Sequence, residues 1–304
     1  FYRNRIFNCR HRDFSAERYD GPGDHPVYRL ILSWNPEEEG TKGIYRRLYF
    51  RSYYDNLAWV NGSLSALGFD TKPIDPRFQD CLIEVTEGFP YELRVKNYRA
   101  RFWRNMSVRD YFAPRGLSES EHMKARGRIG RFNGYRFIGV LPRFYFQDRW
   151  KIGADPVQRE AVLRGDLREE GYCTQSIEDV LPASIRKAEE ESAVEHYEEL
   201  QEENRIIEMD LTNPNRISLL VDIRNPAMLV TTDLYNPDWS VKVDGTAARI
   251  YRVNYLQRGV WCEIGRHRII MEFAPASRIR GLIMTGIGII GLIASILIIR
   301  RKKQ

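Results

Sequence analysis

Short runs of alternating apolar and polar positions fill the chain from residue 205 to residue 275. Seven strand-length runs follow one another there: RIIEMDL, RISLLVDIR, AMLVTTDLY, WSVKVDG, ARIYRVNY, RGVWCEIG and HRIIMEFAP. The segments between them, such as TNPN, NP and NPD, consist of residues that favour turns. Regularly spaced short strands predict an antiparallel β-sandwich, so we expect a compact β-module over about 205–275.

The pair Asp244-Gly245 predicts a tight β-hairpin inside this module. A two-residue primed turn needs positive φ at its central residues, and Asp-Gly is one of the pairs that favour it. We therefore expect positive φ at Gly245. Both residues are interpreted as turn geometry rather than as chemistry.

Weaker patterns precede the module, and residues 1–140 are expected to form a mixed α+β region. Alternation over 91–108 predicts strands with one polar face. The Gly- and Arg-rich segment 124–134 is interpreted as a connection. Pro142 is expected to interrupt a strand over 135–146, because proline cannot donate to a β-ladder.

Residues 141–204 are expected to contain a strand, two helices and an acidic connecting region. Asp155 is the predicted N-cap of the first helix, with Pro156 at the first helical position. The second helix is predicted within 183–203. The apolar positions expected to share a helix face are Val157, Ala161 and Val162 in the first helix, and Ala193, Tyr197 and Leu200 in the second.

Residues 281–299 form a run of nineteen residues without a charge. About twenty apolar residues cross a bilayer, so this run predicts a transmembrane helix within the terminal segment 278–304. A buried core helix is the alternative, but such helices rarely lack a polar stripe over this length. Gly291 and Ser295 are spaced for close helix contact, which favours packing against further spans of a membrane bundle.

Basic residues on both sides of the run give a mixed signal for its orientation. Residues 300–303 are all basic, whereas the twenty or so residues before the run also hold four basic residues. The denser cluster favours a cytoplasmic C-terminal tail and an extracytoplasmic body over 1–277. Export of that body requires a signal or earlier spans, which we expect upstream because the chain starts without an apolar signal region.

Charge is segregated along the chain, although the net charge is only +6. Basic residues outnumber acids 27 to 18 over 1–154 and 14 to 8 after 205, whereas 155–205 has 6 basic residues and 15 acids. No nucleic-acid-binding motif accompanies the basic excess, and an extracytoplasmic location would exclude nucleic acid as a partner. Anionic lipid heads, a polyprenyl phosphate or an acidic envelope polymer fit the charge, and local pairing of the arginines is the alternative.

No motif indicates catalytic or metal chemistry. Cys9, Cys81, Cys173 and Cys262 follow no regular spacing, and their three disulfide connectivities stay open. The five histidines are isolated in the sequence, so we predict no zinc site and no cofactor. A self-contained hydrolase lacks support, because neither a Gly-x-Ser-x-Gly motif nor an evident pair of carboxylates is present.

Five short motifs follow one another in residues 235–267: an aromatic-x-Pro-x-Trp turn, Val-Asp-Gly, a basic-x-Asn element, Arg-x-Val and Gly-x-His. With the predicted span close behind, this order resembles the C-terminus of the bacterial YfhO-like membrane proteins. Asp238 departs from the family, which usually has Gly there. The positions that carry the resemblance are Tyr235, Pro237, Trp239, Val243, Asp244, Gly245, Arg252, Asn254, Arg258, Val260, Gly265 and His267.

The resemblance is specific from about Leu141 to the C-terminus, suggestive for 25–80, and not seen for 85–135. It implies a multi-span N-terminal half of the GT-C glycosyltransferase type, which uses sugars linked to a polyprenyl phosphate to modify envelope polymers such as lipoteichoic acid. In that architecture the catalytic carboxylate lies in an early extracytoplasmic loop, before Phe1. No residue of this chain inherits a catalytic role.

Two functions are therefore expected as alternatives. The chain is the extracytoplasmic C-terminal region of a glycosyltransferase of the bacterial plasma membrane, or it is a non-catalytic, membrane-anchored carbohydrate-binding or structural module. Its expected partners are the lipid bilayer, the upstream transmembrane bundle and, through the resemblance, a lipid-linked sugar and an envelope polymer. Tyr235, Trp239 and Trp261 are the candidates for stacking on sugar rings, and core packing is the alternative for them.

Overall fold

The computed structural model describes residues 46–49, 64–65, 75–87, 94–95, 100–113, 116–129, 132–174, 193–275, 281 and 284–291. Over these residues the chain is mainly β, as predicted, with several antiparallel sheets and a few helices.

The helices are α1 Pro76–Val85, α2 Ala100–Asn105, α3 Asp155–Arg164 and α4 Ala193–Glu203. The strands before residue 175 are β1 Arg46–Tyr49, β2 Leu64–Ser65, β3 Thr86–Glu87, β4 Arg94–Val95, β5 Val108–Ala113, β6 Met123–Ile129, β7 Phe132–Phe137, β8 Phe144–Gln147, β9 Trp150–Ile152 and β10 Gly171–Cys173. The later strands are β11 Arg205–Asp210, β12 Arg216–Ile223, β13 Ala227–Leu234, β14 Trp239–Val243, β15 Thr246–Ala248, β16 Tyr251–Val253, β17 Gln257–Cys262 and β18 Gly265–Phe273.

A four-stranded sheet with the order β16-β17-β13-β8, here called the central sheet, is covered on both faces. Its strand β13 contains six consecutive buried residues, 227–232. Successive side chains of a strand point to opposite faces, so an unbroken buried run requires packing on both sides. Met228 and Val230 join one core cluster, and Leu229 joins the other.

A five-stranded sheet with the order β11-β12-β18-β14-β15, here called the outer sheet, covers one face of the central sheet. Buried positions in β12 alternate with more exposed ones, which is the pattern of a sheet with one wet face. Each of the seven predicted runs contains a strand of the structure. The core cluster shared by the two sheets contains Phe144, Phe146, Leu200, Ile217, Leu219, Val221, Ile223, Ala227, Leu229, Val241, Val260, Cys262, Ile269 and Met271.

Strand β8 joins the central sheet from outside the 205–275 segment, pairing antiparallel with β13. On the free edge of β8, the side chain of Gln201 from α4 takes the place of a further strand. The Phe146 N–H donates to Gln201 Oε1 at 2.8 Å, and Gln201 Nε2 donates back to the Phe146 carbonyl at 2.8 Å. A side-chain amide thus satisfies the backbone groups that an edge strand leaves open.

The other face of the central sheet packs against α1, α2, α3 and a sheet with the order β2-β1-β5-β7-β6. The prediction of strands over 91–108 is wrong for α2. Phe102 and Trp103 are both buried in this core together with Met106. A strand would send adjacent residues to opposite faces, whereas the i, i+1, i+4 spacing of these three places them on one side of a helix.

The segment 124–134 is not a connection, because it lies in the antiparallel pair of β6 and β7. A register irregularity between Ala125 and Gly127 accommodates the glycine-rich sequence there. Pro142 lies between β7 and β8, so the predicted interruption of the strand is confirmed.

The first predicted helix exists, but its N-cap is Ala154 rather than Asp155. Asp155 is the first helical residue, and its carboxylate binds arginine side chains of other elements instead of capping backbone N–H groups. Ala161 and Val162 are buried as expected, whereas Val157 is 51 % exposed. In the second helix, Tyr197 and Leu200 are buried as expected. The structure does not describe the burial of the Ala193 side chain.

Near the C-terminus, residues 284–291 are helical, and the side chains of Met284, Ile287 and Ile290 are exposed. Most of the predicted span 281–299 lies outside the described residues. Among the helices that the structure describes, none has the length and apolar character needed to cross a bilayer.

The predicted hairpin at Asp244-Gly245 is confirmed. Strands β14 and β15 pair with Val243 opposite Thr246, which leaves two residues in the turn. Asp244 has φ of 52° and Gly245 has φ of 81°, the positive values that a type I′ turn requires. An added Cβ at Gly245 would meet no atom within 4 Å, so the glycine is needed for its backbone conformation alone.

Replacing Gly245 with valine should lower the free energy of unfolding by about 1–3 kcal/mol, because a β-branched residue is strained at positive φ. Gly245→Asn is the matched control, since asparagine adopts this conformation more readily and should cost less. Chemical denaturation of both variants measures the difference. Equal stability of Gly245→Val and the native chain would contradict the assignment of the turn.

Candidate functional site

Arg258 of β17 is a charged side chain buried between the central and outer sheets, and only 2 % of it is exposed. Its guanidinium carbon lies 4.2 Å from the centre of the Trp239 ring, which belongs to β14 of the outer sheet. Stacking of this kind combines a cation–π attraction with burial of the apolar ring. The contact therefore ties the two sheets together at one end of their shared core.

The carboxylate of Asp233 holds Arg258 and a second arginine, Arg143. Arg258 Nη2 lies 3.0 Å from Asp233 Oδ2. Arg143 binds the same carboxylate in a forked arrangement, with Nη2 at 2.8 Å from Oδ2 and Nε at 3.1 Å from Oδ1. Because Arg143 precedes β8, and Asp233 and Arg258 lie in β13 and β17, this interaction crosses three neighbouring strands of the central sheet.

This group, here called the arginine cluster (Arg143, Asp233, Trp239 and Arg258), contains two cations and one anion. Burial lowers the pKa of Arg258, while the Asp233 carboxylate acts in the opposite direction. The Nε and Nη1 atoms of Arg258 are buried without a hydrogen-bond partner among the described residues. The Trp239 ring stacks on the same guanidinium, which fits a role in joining the sheets.

Tyr235 and Pro237 lie in the turn that leads into Trp239, and both are partly or fully exposed. The Tyr235 N–H donates to the Leu256 carbonyl at 2.7 Å, which fixes the start of the turn. Asp238, which stands where the resembled family usually has glycine, donates its N–H to Asn236 Oδ1 at 2.8 Å. Trp239 also contacts Phe273 with 5.4 Å between ring centres.

Trp261 does not share a surface with Trp239. It packs against the core cluster on the helical side of the central sheet, whereas Trp239 packs against the cluster between the two sheets. Its indole Nε1 donates to Glu263 Oε1 at 2.7 Å. The structure thus separates two of the three aromatic residues that the sequence suggested for sugar stacking.

Asn254, a motif residue, is fully buried in the turn between β16 and β17, with φ of 49°. Its Oδ1 accepts the Tyr172 N–H at 2.6 Å, and its Nδ2 donates to the Tyr145 hydroxyl at 3.0 Å and to Gln257 Oε1 at 2.9 Å. Gln257 in turn donates to the Asn105 carbonyl at 2.7 Å. This buried network joins the C-terminal module to α2, β8 and β10.

Arg252, the neighbouring motif residue, binds Asp155 at the start of α3 with 2.8 Å between Nη2 and Oδ1. Arg77 of α1 approaches the same carboxylate at 3.4 Å. The hydrogen bond from Arg252 is the largest influence lowering the pKa of Asp155. Arg252 therefore links the turn region of the module to two helices of the preceding region.

Asp244 and His267, which come from two separate motifs, are in direct contact. His267 Nδ1 lies 2.7 Å from Asp244 Oδ2, and the Arg268 N–H donates to Asp244 Oδ1 at 2.8 Å. The contact with His267 is the first cause that lowers the pKa of Asp244. Gly265 opens β18 with φ of 133°, close to the His267 ring.

The thiols Cys81, Cys173 and Cys262 are free and buried. Burial raises the pKa of Cys81 and Cys262 to about 12, so neither is a reactive thiolate at neutral pH. Within the described residues no group of three or more His, Cys, Asp or Glu side chains is arranged to hold a metal ion. Of the predicted helix-packing pair, Gly291 is exposed at the end of the described helix, and Ser295 lies outside the description.

The sequence matches no model of a known protein family. No match is found among curated proteins either.

Sequence reasoning missed the partners of the motif residues, namely Asp233, Arg143, Asp155, Tyr145 and Gln257. One signal was present for Asp233, which is a charged residue near the end of a run that is otherwise buried on both faces. Its pairing with Arg143 spans 90 positions and depends on the register of β8 against β13. No local pattern encodes that register.

Replacing Asp233 with asparagine should destabilise the fold by about 3 kcal/mol, because it leaves two largely buried guanidinium groups without their shared carboxylate. Arg258→Met is the matched change on the other side of the contact. It should cost only about 1 kcal/mol, since methionine fills irregular space and Arg143 still neutralises Asp233.

Denaturant titration of both variants measures this difference. Equal costs, or a larger cost for Arg258→Met, would contradict the charge assignment of the arginine cluster.

Proposed function

We propose that this chain is the extracytoplasmic, non-catalytic C-terminal part of a membrane glycosyltransferase that resembles the YfhO-like family. In this proposal the catalytic part lies upstream, in a multi-span region that binds a sugar linked to a polyprenyl phosphate. The observation that carries the proposal is the use of the motif side chains: Arg252, Asn254, Arg258 and His267 are all engaged in contacts between elements.

Engagement of this kind supports a scaffolding role, because groups that bind or transform a substrate must face it. Asn254 is fully buried and all its contacts are internal. Arg258 is buried beneath Trp239. A motif whose members hold strands and helices in register is expected of a domain that positions other parts of a larger enzyme.

The layered arrangement of the central and outer sheets supports interpretation of this module as a β-sandwich. We further propose that the helix described at 284–291 belongs to a membrane span over 281–299, with residues 300–303 in the cytoplasm of a bacterial cell. The exposed apolar side chains of Met284, Ile287, Ile289 and Ile290 support this, because a bilayer would cover them.

A membrane-anchored carbohydrate-binding module is the second candidate, and the partial exposure of Trp239 and Tyr235 is the observation that favours it. One face of the Trp239 ring is occupied by the guanidinium of Arg258. A cation on one face withdraws electron density from the ring, which weakens attraction for sugar C–H groups on the other face. The accessory-domain proposal therefore has the stronger support.

The orientation is testable with protease in intact bacterial spheroplasts that express the chain in its full-length protein. Residues 1–277 should be degraded while a tag after Gln304 stays protected, because the basic tail is expected inside. Detergent-permeabilised cells are the control for protease access to the tag. Complete protection of the body in intact spheroplasts would overturn the placement.

The accessory role is testable by measuring sugar transfer from polyprenyl-phosphate-linked donors. The purified 304-residue chain should show no turnover, whereas the full-length protein should transfer sugar. Glycan binding by the 304-residue chain without turnover in the full-length protein would favour the binding-module alternative. Transfer by the 304-residue chain alone would refute the proposal and require catalytic residues within this sequence.

A further inference from the structure

Both ring nitrogens of His267 face oxygen atoms that can only accept a hydrogen bond. Nδ1 lies 2.7 Å from the Asp244 carboxylate, and Nε2 lies 3.2 Å from the backbone carbonyl of Glu263. A neutral imidazole carries one N–H and one lone pair, so it can satisfy only one of these contacts. The imidazolium carries two N–H groups and satisfies both.

From this geometry we propose that His267 is a proton-dependent clamp that joins the β14–β15 turn, strand β18 and the β17–β18 connection. With the proton bound, His267 donates to Asp244 on one side and to Glu263 on the other. Loss of the proton removes one donor and places a nitrogen lone pair against an oxygen. The clamp is then reduced to a single contact, and the turn is free to move away from β18.

The protonation of His267 affects the module because the clamp holds two of its loops together. Asp244 also binds β18 through its backbone, since its own N–H donates to the Arg268 carbonyl at 2.9 Å. The turn and the connection are both loops at one end of the two sheets, and His267 is the side chain that contacts both. Its side chain is 19 % exposed, so protons reach it without unfolding.

Among the charged side chains that the structure describes, the Asp244 carboxylate is the one in contact with the His267 ring. The Glu263 carboxylate accepts the Trp261 indole N–H instead, and Cys262, with a pKa of about 12, does not titrate in this range. The other charged groups on the packed elements are Arg266, Arg268 and Glu272 on β18, Lys242 on β14, Arg216 and Asp222 on β12, and Arg205, Glu208 and Asp210 on β11, where Glu208 binds Arg268 at 3.4 Å.

Two groups make the clamp depend on pH. The lowered pKa of Asp244 means that its contribution is present above the value of the unfolded chain and is lost as pH falls through the folded value. The ring proton of His267 acts in the opposite direction, because its loss as pH rises removes the donor for either Glu263 or Asp244. The clamp therefore weakens as pH rises.

The direct test is the nitrogen-15 NMR spectrum of His267 in the 304-residue chain, which reports the protonation of each ring nitrogen. At about pH 6 both nitrogens should appear protonated. Asp244→Asn is the matched variant, because Asn-Gly is also a favoured type I′ pair and keeps the turn. Its amide group can donate to Nδ1, so His267 should change to the neutral form with the proton on Nε2.

Hydrogen exchange at the Arg268 amide, which donates to Asp244, supplies a second measurement. After correction for the intrinsic pH dependence, exchange should be about two- to fivefold slower at pH 6 than at pH 8.5, a modest factor because solvent screens a half-exposed carboxylate. In Asp244→Asn this additional pH effect should disappear. Any one of three results would overturn the clamp. They are a neutral His267 at pH 6, a ring that stays doubly protonated in Asp244→Asn, and the same pH effect on exchange in both proteins. None of these readouts depends on a membrane, a sugar or the proposed enzymatic role.

Discussion

The fold depends on the burial of both faces of the central sheet. A sheet in that position has no water at hand for its polar groups, so other elements must supply their partners. Gln201 completes the free edge of β8, and Asn254 with Gln257 connects the turn of the module to the Tyr145 hydroxyl and the Asn105 carbonyl. These contacts explain why the helices and the C-terminal strands form one packed body: each supplies the hydrogen bonds that the other needs.

Arginine supplies most of the charged connections in this body. Within the described residues, five carboxylates each bind two arginine side chains that come from separate positions in the chain. They are Glu84 with Arg159 and Arg164, Asp110 with Arg109 and Arg136, Asp155 with Arg77 and Arg252, Asp166 with Arg104 and Arg168, and Asp233 with Arg143 and Arg258. The planar guanidinium suits such shared contacts better than lysine does, because it offers donors in several directions. Local pairing thus accounts for much of the arginine content, so a basic composition is weak support here for an anionic partner.

The motif residues also form contacts between elements, and these contacts support the proposed function. Trp239 and Arg258 join the two sheets, Arg252 and Asn254 join the module to the preceding helices, and Asp244 with His267 closes one end of the sheets. These motif side chains are thus used in contacts between elements of the described part of the chain. A body joined in this way would suit the proposed role of orienting a membrane enzyme, and the proposed clamp at His267 is a place where the pH of the solution would act on the fold.

The sequence by itself determined the strands of the C-terminal module and the Asp244-Gly245 turn, because alternation and positive φ are local requirements that a few neighbouring residues express. It also indicated α3 and α4, although it misplaced the cap of α3, since Asp155 is drawn to Arg252 rather than to its own helix. It failed at α2, where alternating arginines resembled a strand pattern although residues 102–105 are all buried in a helix. Only the tertiary structure decided that Trp239 and Trp261 lie on opposite sides of the central sheet, and that Asp233 meets two arginines. Those outcomes depend on strand order and register between segments about 25 to 115 residues apart, and no property of a short stretch of chain contains that information.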